Sequence, residues 1–200
     1  MAVQYPLDIR FKLIALAPRM FVTDAAGNNV LFVSQKVLAL KEDIQIYRDE
    51  SRAQEIYRIK ADRVLDFSTT YHFTDSSSSR SLGAIKSKGW RSIWKATYEV
   101  VDANGTQSHR IEEDNPWVKV GDTLLGEVPI VGLFTGYFLH PKYSAYDVGS
   151  DQAVMRLEKQ PGFFESRFKL EKLDPKISTE VEQRLLLSFM LMIQFMRRRG

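Results

Sequence analysis

KISTEVEQRLLLSFMLMIQFMRR, residues 176–198, is the stretch from which the rest of the chain is read. Thr179 and Glu182 stand at capping-box spacing, with Ser178 as the alternative cap. Asp174-Pro175 interrupts whatever precedes them. The spacing predicts a helix over 177–198. Leu185, Leu186, Leu187, Phe189, Met190, Leu191, Met192, Ile193, Phe195 and Met196 then point in every direction around its axis. The sector that holds Arg184, Ser188 and Gln194 also holds Leu187, Leu191 and Phe195, so there is no clean polar stripe. A helix that is apolar all round is buried on all sides. Burying those side chains is worth about 15–30 kcal/mol gross. Arg197, Arg198 and Arg199 follow, placed to reach solvent and to complement the negative end of the helix.

A membrane would be the other apolar surrounding. Leu185–Met196 and Val128–Leu139 are each only 12 residues long, and a bilayer span takes about 20. Runs of this length are more often core. The N-terminus carries Asp8, Arg10 and Lys12 before a very short apolar run, which is not the pattern of a signal peptide. The wall around the helix must therefore come from this chain.

The upstream sequence supplies strands. Leu65, Phe67, Thr69, Tyr71 and Phe73 alternate with Asp66, Ser68, Thr70 and His72. Phe164, Ser166, Phe168 and Leu170 alternate with Glu165, Arg167, Lys169 and Glu171. Ile9, Phe11 and Leu13 alternate with Arg10 and Lys12, and Ala153, Met155 and Leu157 with Val154, Arg156 and Glu158. Period two marks a half-buried strand. Asp24–Asn29 and Asp102-Ala103-Asn104-Gly105 read as hairpin turns, the latter with Asn-Gly to supply positive φ. About twelve strands result, over 8–16, 20–24, 29–36, 43–49, 54–60, 64–74, 82–88, 92–101, 106–113, 142–147, 152–159 and 164–173. Asp114-Asn115-Pro116 opens a short helix through Trp117, Val120, Leu124 and Leu125, and Pro129–Tyr137 forms a second. The expected fold is mainly β: a closed antiparallel barrel of about twelve strands around the hydrophobic C-terminal helix. Eight strands fill with side chains alone, and a wider barrel leaves room inside. Residues 1–7 read as a short tail and 8–200 as one domain, with no linker between.

A known family shares this arrangement. The chain resembles the tubby-like superfamily, which includes tubby proteins, phospholipid scramblases and LURP-one-related proteins. The resemblance is carried by FVTDAAGNNVLFVSQKVLALKEDIQIYRDES (21–51), by LGAIKSKGWRSIWKATYEVVDANG (82–105) and by the apolar last helix. Leu82, Gly83, Ile85 and Trp90 supply the Leu-Gly-x-Ile…Trp arrangement of scramblase-like and LURP-one-related strands. It extends over roughly 8–197. It implies the tubby-like barrel, and with it phosphoinositide binding through basic surface residues or peripheral attachment to membranes. The chain departs from animal scramblases in lacking a Cys cluster and a Pro-rich N-terminal region, which counts against carrying scrambling over from the resemblance.

Net charge is +3, too little to imply a nucleic-acid partner. Cysteine is absent, which excludes disulfides, thiol catalysis, Cys-ligated zinc and palmitoylation. His72, His109 and His140 are scattered without ligand spacing, so neither a metal nor a cofactor is expected. Asp102 could open a calcium loop ending at Glu113, but its obligatory sixth-position Gly falls on Gln107. Gly126, Gly132 and Gly136 lack the Lys-Ser/Thr of a phosphate loop. No catalytic set emerges, and the expected function is non-enzymatic.

The candidate site is Arg80–Lys95. No acid lies between Asp75 and Glu99, whereas Arg80, Lys86, Lys88, Arg91 and Lys95 do, with Trp90 and Trp94 interleaved. Cations with interfacial Trp suit an anionic lipid surface, at about 1 kcal/mol per Lys or Arg. Nucleic-acid phosphates could use the same chemistry, and the plain structural alternative is a solvated hairpin with both Trp packed in the core. Arg58, Lys60 and Arg63 would add to it. The rival is a protein-interaction or scaffold domain with a protein partner and no lipid ligand. A cytoplasmic protein, peripheral at the membrane, is the expected setting. Oligomeric state is not readable from the sequence.

Overall fold

A computed structural model describes residues 3–14, 17–34, 43–62, 69–87, 97–114, 141–162 and 165–198. They form twelve strands and one helix. The strands are β1 (Leu7–Ile14), β2 (Ala17–Thr23), β3 (Asn29–Ser34), β4 (Asp43–Tyr47), β5 (Glu55–Ala61) and β6 (Thr70–Asp75). They continue as β7 (Arg80–Ser87), β8 (Thr97–Val101), β9 (Gln107–Glu113), β10 (Lys142–Asp147), β11 (Ala153–Gln160) and β12 (Ser166–Lys172). The helix, α1, is Thr179–Arg198. Each strand pairs antiparallel with its sequence neighbours, and β1 pairs with β12 to close the barrel. The expected architecture is the one observed.

Alternation decides which residues meet inside. The cross-strand partners Val33, Ile46 and Tyr57 all face inward. So do Ile111, Ala145 and Met155, and Leu157, Leu170 and Leu7. All nine helix residues Leu185–Ile193 are no more than 7% exposed. All but Ser188 belong to the same apolar core as the strand interiors. The helix is therefore the filling of the barrel, as its all-round apolarity required. No described helix is long and apolar enough to cross a membrane.

Two refinements concern local structure. Ser178 caps α1: its hydroxyl accepts from the Val181 amide at 3.3 Å. Glu182, the partner expected in a box with Thr179, instead receives Lys172 Nζ at 2.6 Å and the Tyr5 hydroxyl at 3.1 Å. The other concerns β3. Phe32 faces outward between Leu31 and Val33, yet is 2% exposed. Phe21 packs on it with ring centroids 5.2 Å apart. The two short helices expected over 114–137 lie outside the described residues, as does the strand portion over 64–68.

Candidate functional site

The meander puts two different ends on the barrel. β2–β3, β4–β5, β6–β7, β8–β9 and β10–β11 turn at the end where α1 begins. Asp leads each of these turns. Asp24 accepts from the amides of Ala26 and Asn28, Asp49 from Ser51, Asp75 from Ser77 and Ser78, Asp102 from Asn104 and Thr106, and Asp147 from Ser150. Asp174 does the same for Lys176 ahead of the helix. These are Asx turns, in which a side chain replaces a missing backbone acceptor. Gly105 takes φ +84 in the β8–β9 turn, as the Asn-Gly pair predicted. The hydrogen bonds also hold acids ionised. Donation from the Asn28 side chain keeps Asp24 below the usual carboxylate range, the Ser51 hydroxyl does so for Asp49, the Ser77 hydroxyl for Asp75 and the Ser150 amide for Asp147. The rim around the start of α1 is thus lined with fixed negative charge.

This geometry divides the basic stretch read from the sequence. Arg80 begins β7 at the acidic end, and its guanidinium pairs with Glu180 at 2.8 Å. Lys86 lies near the opposite end of the same strand, roughly 20 Å away at the usual rise per residue. It is half-buried and stands across from Glu99 on β8. Lys88, Trp90, Arg91, Trp94 and Lys95 lie outside the described residues, as does Arg63. Arg58 is held bidentately by Asp43 at 2.7 Å. Lys60 is in register with Asp43 and His72.

Much of the described wall is neutralised in the same way. Arg10 and Arg167 share Asp8, Lys12 pairs with Glu165, Lys142 with Glu158, Arg156 with Asp114 and Lys169 with Glu171. Arg110 pairs with Asp151 and Glu112. Such exposed pairs contribute little each, but among the described residues they neutralise most of the cations on the barrel wall.

Inside, several polar side chains interrupt the apolar layer, and the charged one on the helix is Arg184. Arg184 is 3% exposed. Its Nε donates to the Leu82 carbonyl, and its terminal nitrogens reach Glu180 at 2.6 Å and Ser108 at 3.5 Å. Burial pulls its guanidinium below the ordinary value, and Glu180 opposes that. Gly83 makes the seat: at φ +108, a Cβ there would lie 2.2 Å from the Val101 carbonyl oxygen and 2.8 Å from Arg184 Nε. Leu82 and Ile85 are 0% and 1% exposed. The Leu-Gly-x-Ile pattern therefore has a physical meaning in this chain: it is the docking point for the buried arginine of the helix.

A cavity of about 500 Å³ opens beside the first turns of α1. Its floor is Leu31, Ile56, Tyr57 and Leu186, and its polar edge is Tyr5, Arg48, Lys172, Glu182 and Gln183. Burial, then Glu182, pushes the Tyr5 phenol far above its ordinary value. Lys172 also sits 5.9 Å from the Tyr5 ring centroid. A second hollow of about 660 Å³ adjoins it, sharing Val3, Val30 and Arg48. The sequence pointed to none of these residues. They come from the tail, β3, the β4–β5 turn, β5, β12 and α1, and no linear spacing joins them. Among the described residues, no three His, Cys, Asp or Glu are grouped to hold a metal ion.

The search of curated proteins returned no match, and neither did the search of solved structures. A family model does match. The model described as LURP-one-related aligns over residues 29–193, from β3 almost to the end of α1. It spans the seat of Arg184 on both strand and helix, and the fold is that of the superfamily. The chain belongs to the LURP-one-related family of the tubby-like superfamily.

Proposed function

We propose that this domain is a non-enzymatic, peripheral module for anionic phospholipid, phosphoinositides included. It meets a cytoplasmic membrane face with the end of the barrel where α1 finishes. What supports this is the difference in charge between the two ends. The rim around the start of α1 is led by Asp in each turn. In sequence, the connections between strands on the other side of the meander are 35–42, 63–68, 88–96, 115–140 and 161–165. They contain Lys36, Lys41, Arg63, Lys88, Arg91, Lys95 and Lys119 against Glu42, Asp66, Asp122, Glu127 and Glu165, which is seven positive charges to five negative. Arg197, Arg198 and Arg199 follow at the same end of the helix. Each such cation near a charged bilayer adds about 1 kcal/mol, and Trp90 and Trp94 suit the headgroup layer. In this reading Lys86, Lys88, Trp90, Arg91, Trp94 and Lys95 remain lipid-facing candidates. Arg80 does not, because it sits at the acidic end and is held by Glu180.

Vesicle flotation tests the proposal. The protein is expected to float with anionic vesicles, more strongly with phosphoinositide, and not with phosphatidylcholine alone. Lys88→Glu with Arg91→Glu and Lys95→Glu should abolish flotation, whereas Arg80→Gln should not. No flotation of the wild-type protein at low salt removes the lipid reading.

A protein partner is the second reading, and one observation favours it. Val3, Val148 and Leu173 are the exposed large hydrophobics among the described residues. All three lie at the acidic end, in the tail, the β10–β11 turn and the segment after β12. A stoichiometric complex in lipid-free buffer, weakened by Val148→Asp, would support this reading over the first.

A further inference from the structure

The cavity beside α1 has features that the lipid-facing end does not explain. Its volume, about 500 Å³, is in the range of small-molecule sites. Leu31, Tyr57 and Leu186 are 4%, 8% and 7% exposed and form an apolar floor. Beside that floor stands the exposed side chain of Arg48, which among the described residues forms no ion pair and no side-chain hydrogen bond and acts on Asp49 and Tyr57 only through its charge. Other described cations contrast with it: Arg58, Arg80 and Arg184 each hold a carboxylate, and Lys172 on the cavity's edge is already joined to Glu182. Tyr57 and Gln183 stand on the same wall. A guanidinium with free N–H donors recognises a carboxylate or phosphate oxygen pair.

Charge and shape narrow the ligand. One unpaired guanidinium inside a ring of ionised Asp side chains matches a single negative charge. A polyphosphate would place several charges against Asp24, Asp49 and Asp75. The apolar floor calls for a hydrocarbon body attached to the charged group. We propose that this mouth binds a singly charged amphiphilic acid, with its carboxylate on Arg48 and its apolar part on Leu31, Ile56 and Leu186. The site lies at the opposite end from the proposed membrane contact and does not rest on that reading.

Isothermal titration with decanoate below its aggregation concentration tests the assignment, alongside inorganic phosphate and decyltrimethylammonium. Decanoate should bind at one site per chain. Arg48→Gln should weaken it about tenfold, and Arg52→Gln, a change in the same exposed turn, should leave it unaltered. Phosphate and the cationic amphiphile should bind at least tenfold more weakly than decanoate. Three results overturn the proposal. They are no decanoate binding at millimolar concentration, equal binding by the Arg48→Gln and Arg52→Gln proteins, and phosphate binding as tight as decanoate. A parallel flotation of Arg48→Gln separates the two sources of an acidic amphiphile. If that variant loses binding to anionic vesicles while free decanoate never binds, the site serves a bilayer and the free-acid assignment fails. If vesicle binding is lost only in the Lys88, Arg91 and Lys95 variant, the membrane reading stands or falls independently of the cavity.

Discussion

Arg184 enters a mainly apolar interior, and Gly83 is the position that admits it. The two residues are contributed by different elements and depend on each other: the glycine leaves room for a guanidinium, whose Nε then satisfies the Leu82 carbonyl. A Gly83→Ala chain must accommodate a Cβ 2.2 Å from a backbone oxygen at a φ that L-residues rarely adopt. It should lose on the order of 3 kcal/mol, read by urea unfolding. The sequence showed the pattern around Gly83 only as a family likeness, because the partner is 101 positions away and carries no local signal. His109 is a second interior polar group, 4% exposed. Burial holds its imidazole below the ordinary value; Asp147 opposes this and Arg184 adds to it. The unfolded chain therefore takes up this proton first as pH falls through about 6.5. Stability is present above that value and declines below it, by up to about 1.4 kcal/mol per pH unit, until the folded imidazole also protonates. Melting temperatures between pH 7.5 and pH 5.5 should fall in the wild type and fall less in His109→Gln. The turn aspartates do not confuse the reading, since their lowered values place their effect below about pH 4.

At the scale of elements, period-two alternation was enough to find the strands. Ile9, Phe11, Phe73, Met155, Phe168 and Leu170 all face inward as their spacing required. Alternation reports one wet face and one dry face, and a closed barrel supplies both. The helix was equally legible, but its cap was ambiguous. Ser178 and Thr179 can each accept from an amide two or three residues on, and the chain geometry after Asp174-Pro175 chooses Ser178. Ser178→Ala should cost about 1 kcal/mol, and Thr179→Ala only a few tenths. Equal losses in denaturant titrations of the two variants would reverse this assignment. The candidate site was less legible than either element. A run of cations in sequence says nothing about strand polarity. On a strand of eight residues, Arg80 and Lys86 come to opposite ends and face different charge environments.

The whole molecule is a sheet closed around its own C-terminal segment, and this makes the last helix a condition for the first eleven hairpin and strand contacts to persist. β1 meets β12 along Leu7–Phe11, so closure joins the first strand to the last. A wall closed in this way surrounds a space that side chains from the strands alone do not fill. Leu185, Leu187, Phe189, Leu191 and Ile193 occupy it at 0% exposure. A chain ending at Ser178 would expose the inner layer to water with no compensating collapse, since each strand is hydrogen-bonded on both sides and cannot move inward alone. It should lose cooperative thermal unfolding and bind a hydrophobic dye strongly. A milder change tests the same point in a full-length chain. Leu187→Asp buries a carboxylate among apolar neighbours and should cost more than about 4 kcal/mol. Val148→Asp, at 44% exposure in the β10–β11 turn, should change stability by less than about 0.5 kcal/mol. A truncated barrel that retains its β-sheet circular dichroism and one sharp melting transition would show that the wall stands without its filling.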